Sequence, residues 1–186
     1  ARNTKYRSCF DVYHNELHVK VVPSKKFISG KVIISAKAVT DFDTLQIDLY
    51  KNMKIIGIQS ENSVLTYTRE EGAVFVKMSR IIKAEEKFSI TVDYEGTPIS
   101  AKRPPWDGGF VWKKDKDGNP WVGVACETEG SSMWWPSKDI MSDEADSTDV
   151  FITVPPNLIG VSNGVLKDSV NNYGISTYHW HISYPI

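Results

Sequence analysis

With 186 residues, 41% of them hydrophobic and 24% charged, the chain has enough apolar content for one sizeable core and too much for a disordered or fibrous protein. Its 22 basic and 23 acidic side chains leave a formal charge of -1, which argues against nucleic acid or an anionic membrane surface as the main partner. No apolar run approaches the roughly 20 residues of a bilayer span, so no transmembrane segment is expected.

In chain order, the stretch CFDVYHNELHVKVV, residues 9–22, ends with Leu17, Val19 and Val21 alternating against His18, Lys20 and Val22, and Pro23 stops the ladder, which predicts a half-buried strand. After a turn at residues 23–26, Val32, Ile34, Ala36 and Ala38 repeat the period of two, and the pair predicts an antiparallel hairpin. A strand over residues 44–50 follows through Leu45, Ile47 and Leu49. Then come MKIIGIQ, SVLTYTR, AVFVKM and KFSITVDYEG at spacings of about ten residues, with Arg69-Glu70-Glu71-Gly72 as a turn.

Residues 98–109, PISAKRPPWDGG, read as a loop, and Phe110 to Trp112 opens a strand. Asp117-Gly118 supplies the positive φ of a tight turn, and Trp121 to Glu127 returns as its partner, with Val122, Val124 and Cys126 on one face and Trp121, Gly123, Ala125 and Glu127 on the other. That strand ends in a carboxylate. A small-residue corner follows at Gly130, Ser131 and Ser132. Next come Trp134-Trp135-Pro136, an acid-rich loop carrying Asp139, Asp143, Glu144 and Asp146, and a second strand from Val150 to Val154.

Past Pro155-Pro156-Asn157 lie short apolar segments at Leu158 to Val161 and Val165 to Lys167, separated by a turn at Ser162-Asn163-Gly164, and then a polar loop to Gly174. In the last stretch, ISTYHWHISYPI, Tyr178, Trp180 and Ile182 alternate with Thr177, His179, His181 and Ser183. Helical periodicity and fixed-period repeats are nearly absent. The expected fold is therefore all-β, an antiparallel β-sandwich of roughly ten to twelve strands with little or no helix. With no closing cap after the last strand, the chain is expected to be a piece of something longer.

No Gly-rich phosphate loop, Gly-x-Ser-x-Gly elbow, Cys-x-x-Cys or His-Glu-x-x-His occurs, so no complete catalytic set is visible. His14 and His18 are four apart, which on a strand separates them by about 13 Å, too far to share one ion. His179 and His181 flank Trp180 and point to one face, a geometry some metal sites use. With no second ligand cluster identifiable they read as solvent-facing or interface histidines, and no metal site is assigned. The acid-rich loop lacks the order of a dedicated calcium loop, which leaves capping and solvation as its roles. Five of the six tryptophans fall within residues 106–135 and either form a sugar-binding platform or fill the core or an interface, the second being favoured. Cys9 and Cys126 allow at most one disulfide. Glu127 is the candidate site residue. A carboxylate at a strand end beside small residues can accept an ammonium group through charge-assisted hydrogen bonds, although an exposed or cation-paired strand glutamate is the plainer alternative.

Cys126-Glu127-Thr128-Glu129-Gly130, then Trp134-Trp135-Pro136-Ser137-Lys138-Asp139, then Ser142-Asp143-Glu144-Ala145-Asp146-Ser147, the strand Val150 to Val154 and Val161-Ser162-Asn163-Gly164 together resemble the N-terminal domain of the aminopeptidase N family. These are gluzincin zinc metallopeptidases and include the leukotriene hydrolases. The strand through Leu17 to Val21, Phe27-Ile28-Ser29-Gly30 and Leu45-Gln46-Ile47-Asp48-Leu49 look like that domain's opening strands. The resemblance covers nearly the whole chain, strongly over 121–164 and loosely before 100.

What the resemblance implies is a single saddle-shaped β domain over residues 1–186, packing on a following thermolysin-like catalytic domain and closing one side of its active-site cleft. In such enzymes a Gln or Glu at the position matching Glu127 contacts the free α-amino group and first side chain of the peptide substrate, so Glu127 is the expected substrate-binding residue. The zinc ligands, the catalytic glutamate and the Gly-x-Met-Glu-Asn motif belong to the following domain. The resemblance therefore implies zinc in the parent enzyme, no cofactor in this chain, and no hydrolysis by this chain alone. Two departures stand out: Ser137 replaces the family's cysteine, and Ala145 stands where its proline would be.

The function expected is that of a non-catalytic N-terminal domain of a zinc aminopeptidase that releases N-terminal residues from peptides. The alternatives are a free-standing β-sandwich module that binds a carbohydrate or a partner, and a scaffold domain from a relative whose catalytic part has lost its metal ligands. The start, ARNTKYRSCF, reads like a mature end, which directs the expectation toward the periplasm, the cell envelope or secretion.

Overall fold

The computed structural model describes residues 3–61, 63–126 and 129–185. A single helical turn at Lys5–Ser8 precedes β1 (Phe10–Val22), which a 3-10 turn at Pro23–Lys25 and a left-handed Lys26 fold back into β2 (Phe27–Ala38). There follow β3 (Phe42–Asp48), β4 (Met53–Ser60), β5 (Ser63–Val64), β6 (Thr66–Glu70), β7 (Ala73–Ile82) and β8 (Lys87–Gly96). The second half supplies β9 (Gly109–Lys114), β10 (Pro120–Ala125), β11 (Ser147–Val154), β12 (Val165–Asn172) and β13 (Ile175–Ser183).

Among the described residues these make thirteen strands in three sheets. One has eight strands in the order β12-β13-β11-β1-β2-β8-β4-β5, one three in the order β3-β7-β6, and one is the hairpin β9-β10. The all-β sandwich expected from the sequence is what forms. One pairing departs from the antiparallel rule: β1 and β11 run parallel, with Leu17 opposite Val150, so the large sheet is mixed. Parallel neighbours need a long crossover, and here everything between β1 and β11 serves as that connection.

The core lies between the large sheet and the three-stranded one. Ile28, Val32 and Ile34 of β2 and Ile90, Val92 and Tyr94 of β8 meet Leu45 and Ile47 of β3 and Val74 and Val76 of β7, all at most 1% exposed. Burying each aliphatic side chain this fully contributes about 1.5–3 kcal/mol. Period-two patterning is therefore enough to set which face of β2, β3 and β8 turns inward.

A bulge in β1 between Val12 and His14 matters more than its size suggests. Before it the even positions Phe10 and Val12 are buried; after it the odd positions Leu17 and Val19 are. The inserted residue flips the face, so His14, Glu16 and His18 leave the core side.

One local expectation is corrected. The polar stretch running to Gly174 is β12, exposed at every position and held by backbone pairing with β13, which composition does not reveal. The short apolar segment Leu158 to Val161 is not in a strand. The strand expected over Trp121 to Glu127 is paired with β9 from Pro120 to Ala125, and residue 127 itself lies outside the described residues. Cys9 and Cys126 are free thiols. Among the described residues no helix is long and apolar enough to cross a membrane.

Candidate functional site

The loop after β10 is built from the core outward. Arg7, lifted into the core by the one-turn helix, donates through Nε and Nη2 to Asp48 at the end of β3, at 3.0 and 2.5 Å, and both side chains are 8% exposed. Gln46 also donates to Asp48 at 3.0 Å, and the backbone N–H of Asp139 reaches its other oxygen at 3.3 Å. Asp48 and Ser137 exchange two backbone hydrogen bonds, 2.7 and 3.1 Å, and the Tyr50 N–H donates to the Ser132 carbonyl at 2.8 Å. The end of β3 thus grips the loop by its backbone.

From that grip the corner folds tightly. Asp139 accepts from the Ser132 N–H at 3.1 Å and from its hydroxyl at 2.5 Å, capping the 3-10 turn Ser131–Met133. Gly130 enters the turn at φ +82°, and a Cβ there would run into the Asp139 carboxylate, so both backbone and space require glycine. The Cys126 carbonyl accepts from the N–H groups of Glu129 and Gly130 at 3.2 and 3.0 Å. The Trp134 indole donates to the Cys126 sulfur at 3.3 Å, and burial pushes that thiol up.

This corner forms one wall of an open cleft of about 710 Å³, lined among others by Tyr50, Glu70, Glu71, Cys126, Glu129 and Asp139. Arg7 also borders it and is ion-paired with Asp48. The Tyr50 hydroxyl donates to Glu129 Oε2 at 2.5 Å, and that carboxylate pushes the phenol up to about 12. Among the described residues, five acidic ones, Asp48, Glu70, Glu71, Glu129 and Asp139, border the cleft against a single cationic one, Arg7, a charge balance suited to a cationic group.

Glu127, the residue singled out in the sequence, lies outside the described residues, as does Thr128; the residues on either side of them, Cys126 and Glu129, both line the cleft. Glu129 and Asp139 fall in stretches that the sequence singled out, whereas Tyr50 carries no recognisable motif of its own. The acid-rich loop is not simply solvated. Lys138 and Asp143 form an ion pair with each side chain 5% exposed, and Lys138 also donates to the Phe10 carbonyl while lying over the Phe10 ring. Trp112, Trp134, Trp135 and Trp180 pack against the core, whereas Trp106 and Trp121 are 75% and 54% exposed. Among the described residues no group of three or more His, Cys, Asp or Glu is arranged to hold a metal ion.

Fold and cleft together define a mixed-sheet β domain that presents an acid-walled corner loop. No protein-family model matches the chain, and no curated protein matches it either. Solved structures do: the fold is that of the N-terminal domain of M1 zinc metallopeptidases and leukotriene A4 hydrolase. An M1 zinc metallopeptidase from Deinococcus radiodurans aligns over 92% of this chain and 38% of its own, with TM-score 0.77 and 23% identity. A mutant M1 zinc metallopeptidase from the same bacterium, solved with a Tyr-Ser-Ala substrate, aligns with TM-score 0.77 at 22% identity over 92% of this chain and 39% of its own. Leukotriene A4 hydrolase from Saccharomyces cerevisiae aligns over 96% of this chain and 28% of its own, with TM-score 0.69 and 17% identity. The chain therefore spans less than two fifths of the length of these proteins, and the likeness establishes its fold.

Proposed function

We propose that this chain is the N-terminal, non-catalytic β domain of a zinc aminopeptidase, and that Glu127 receives the free amino group of the peptide whose first residue is released. The observation that carries this reading is the likeness of 92% of the chain, at TM-score 0.77, to the N-terminal domain of an M1 zinc metallopeptidase. The acid-walled cleft supports it, since the loop bearing residue 127 borders a cleft whose carboxylates favour an ammonium group over an anion.

The domain that would follow residue 186 holds the zinc and the catalytic groups and performs the hydrolysis. This chain closes one side of its active-site cleft. The surface for that partner is the apolar rim beside the corner loop, where Trp121, Val124, Ile159 and Val161 are exposed around a hollow of about 560 Å³. Such a rim suits a protein neighbour better than solvent.

The test is Glu127→Ala in the enzyme that carries this chain with its catalytic domain. Losing one charge-assisted hydrogen bond should lower kcat/KM for peptides with a free N-terminus about tenfold to a hundredfold, with KM rising and the thermal unfolding midpoint unchanged. Glu127→Gln, which keeps a hydrogen-bond acceptor without the charge, should fall between the two. Kinetics unaltered in Glu127→Ala would remove the residue from substrate binding.

A further inference from the structure

On the side of the large sheet away from the core, three of the chain's four histidines, His14, His179 and His181, meet the carboxylate of Asp149, and the fourth, His18, stacks on the nearby Phe151 ring. The bulge in β1 turns His14, Glu16 and His18 outward. The parallel pairing sets Glu16 opposite Asp149 and His18 opposite Phe151, and on the far side of β11 the antiparallel pairing sets His181 opposite Asp149 and His179 opposite Phe151. Asp149 then has His179 Nε2 at 2.7 Å, His181 Nδ1 at 3.0 Å and His14 Nε2 at 3.4 Å. The Phe151 ring is sandwiched between His18 and His179, at centroid distances of 4.3 and 4.1 Å.

His179 differs from the other three in having a carboxylate at each ring nitrogen. Its Nε2 faces Asp149 on β11, and its Nδ1 lies 3.2 Å from Asp168 on the edge strand β12. A neutral imidazole donates from one nitrogen only and would turn a lone pair toward the other carboxylate; the imidazolium donates from both. Meanwhile β12 is exposed along its whole length and, among the described residues, pairs in the sheet with β13 alone.

We propose that a proton on His179 latches the sheet edge: the imidazolium ties Asp149 on β11 to Asp168 on β12 across β13, and its loss at rising pH lets β12 open from the sheet. The groups facing the latch are Asp149 from β11, Asp168 from β12 with Lys167 beside it in the chain, His181 from β13 itself, and His14, Glu16, His18 and Lys20 from β1. Partial burial alone would lower the His179 pKa, but the hydrogen bonds to Asp149 and Asp168 outweigh it and hold it above 6.5. For Asp149 burial raises and the bonds from His179 and His181 lower, and the net shift is downward from 3.8. A histidine raised in the folded state stabilises fully below its unfolded pKa and ceases to do so as pH climbs through the folded value. A depressed carboxylate does the reverse on the acid side. The latch therefore holds above the acid limit set by Asp149 and releases above the His179 transition. This inference rests on the fold alone and is independent of the role given to Glu127.

The test is NMR on the chain itself, following the histidine Cε1–H signals and the amide exchange of residues 165–172 between about pH 5 and about pH 8.5. Expected are a His179 midpoint above 6.5 that falls in Asp168→Asn, and a β12 opening constant that rises about threefold to tenfold across that midpoint once intrinsic exchange is divided out. The step should vanish in both Asp168→Asn and His179→Gln, whose thermal unfolding shows that they remain folded. A pH-independent β12 opening constant, a step that survives in His179→Gln, or a His179 midpoint at or below 6.5 would each overturn the latch.

Discussion

Two regions of the domain hold charge on a β framework and treat it in opposite ways. Beneath the corner loop, Arg7–Asp48 and Lys138–Asp143 are withdrawn from water, and Asp48 is surrounded by four hydrogen bonds from Arg7, Gln46 and the Asp139 backbone. On the far side of the sheet Asp149 is about a fifth exposed, and its partners are histidines whose charge depends on pH. Burial with dense hydrogen bonding makes a strut that costs much to break, while partial exposure with histidine partners makes a contact that conditions can undo. Rigidity is thus concentrated under the loop that carries residue 127, and responsiveness at the β12 edge.

The sharpest way to break that contrast is Asp48→Ala. It removes the buried carboxylate that accepts from Arg7, Gln46 and the Asp139 N–H while leaving the backbone bonds to Ser137 in place, so urea unfolding should show a loss of about 3–5 kcal/mol. A loss under about 1 kcal/mol would mean that the pair is no strut. Gly130→Ala comes next, because it combines a positive φ with a clash on the cap. We expect about 1–3 kcal/mol of destabilisation by urea unfolding, together with displaced amide shifts for Ser132 and Asp139. Amide shifts unmoved beyond residue 130 would show that the corner yields locally.

The smallest effect concerns Asp11, at the margin of the buried region. Burial first, then the hydrogen bond and charge of Asp143, raise its pKa above 3.8. A carboxyl raised in the folded state costs stability once it ionises, so that cost grows as pH rises above 3.8. Asp11→Asn should therefore gain under about 1 kcal/mol at neutral pH and nothing in acid, read from thermal midpoints across pH.

How much of this was legible in the sequence depends on whether the determinant was local. Alternation in residues 17–21, 32–38 and 45–49 named strands that the core bears out, because a face sealed against another sheet admits only apolar residues. The hairpin turn at Asp117-Gly118 was equally plain. What could not be read was pairing at long range. The partnership of β1 with β11 joins residues more than a hundred positions apart, and without it Asp149 and His14 have no visible relation. The bulge at Tyr13 leaves no mark in the hydropathy pattern, yet it sends three titratable residues to solvent. Likewise β12 reads as a polar loop because an edge strand open to water needs no apolar face. Asp143 looked solvated among its acidic neighbours, and only the fold brings Lys138 and the Phe10 carbonyl to it. At the cleft the sequence pointed to the right stretch, residues 126–139, but Tyr50 enters from β3's continuation with no motif to announce it.

The measurement that bears most directly on the proposed function is to read the coding sequence past the codon for Ile186. A zinc aminopeptidase requires His-Glu-x-x-His on a helix with a further glutamate downstream, the two histidines and that glutamate binding the metal. Finding that set in frame is the predicted result, and it would make Glu127 the next residue to vary. A frame that ends, or continues without those ligands, would contradict the aminopeptidase assignment and leave a β domain of the same fold serving another purpose.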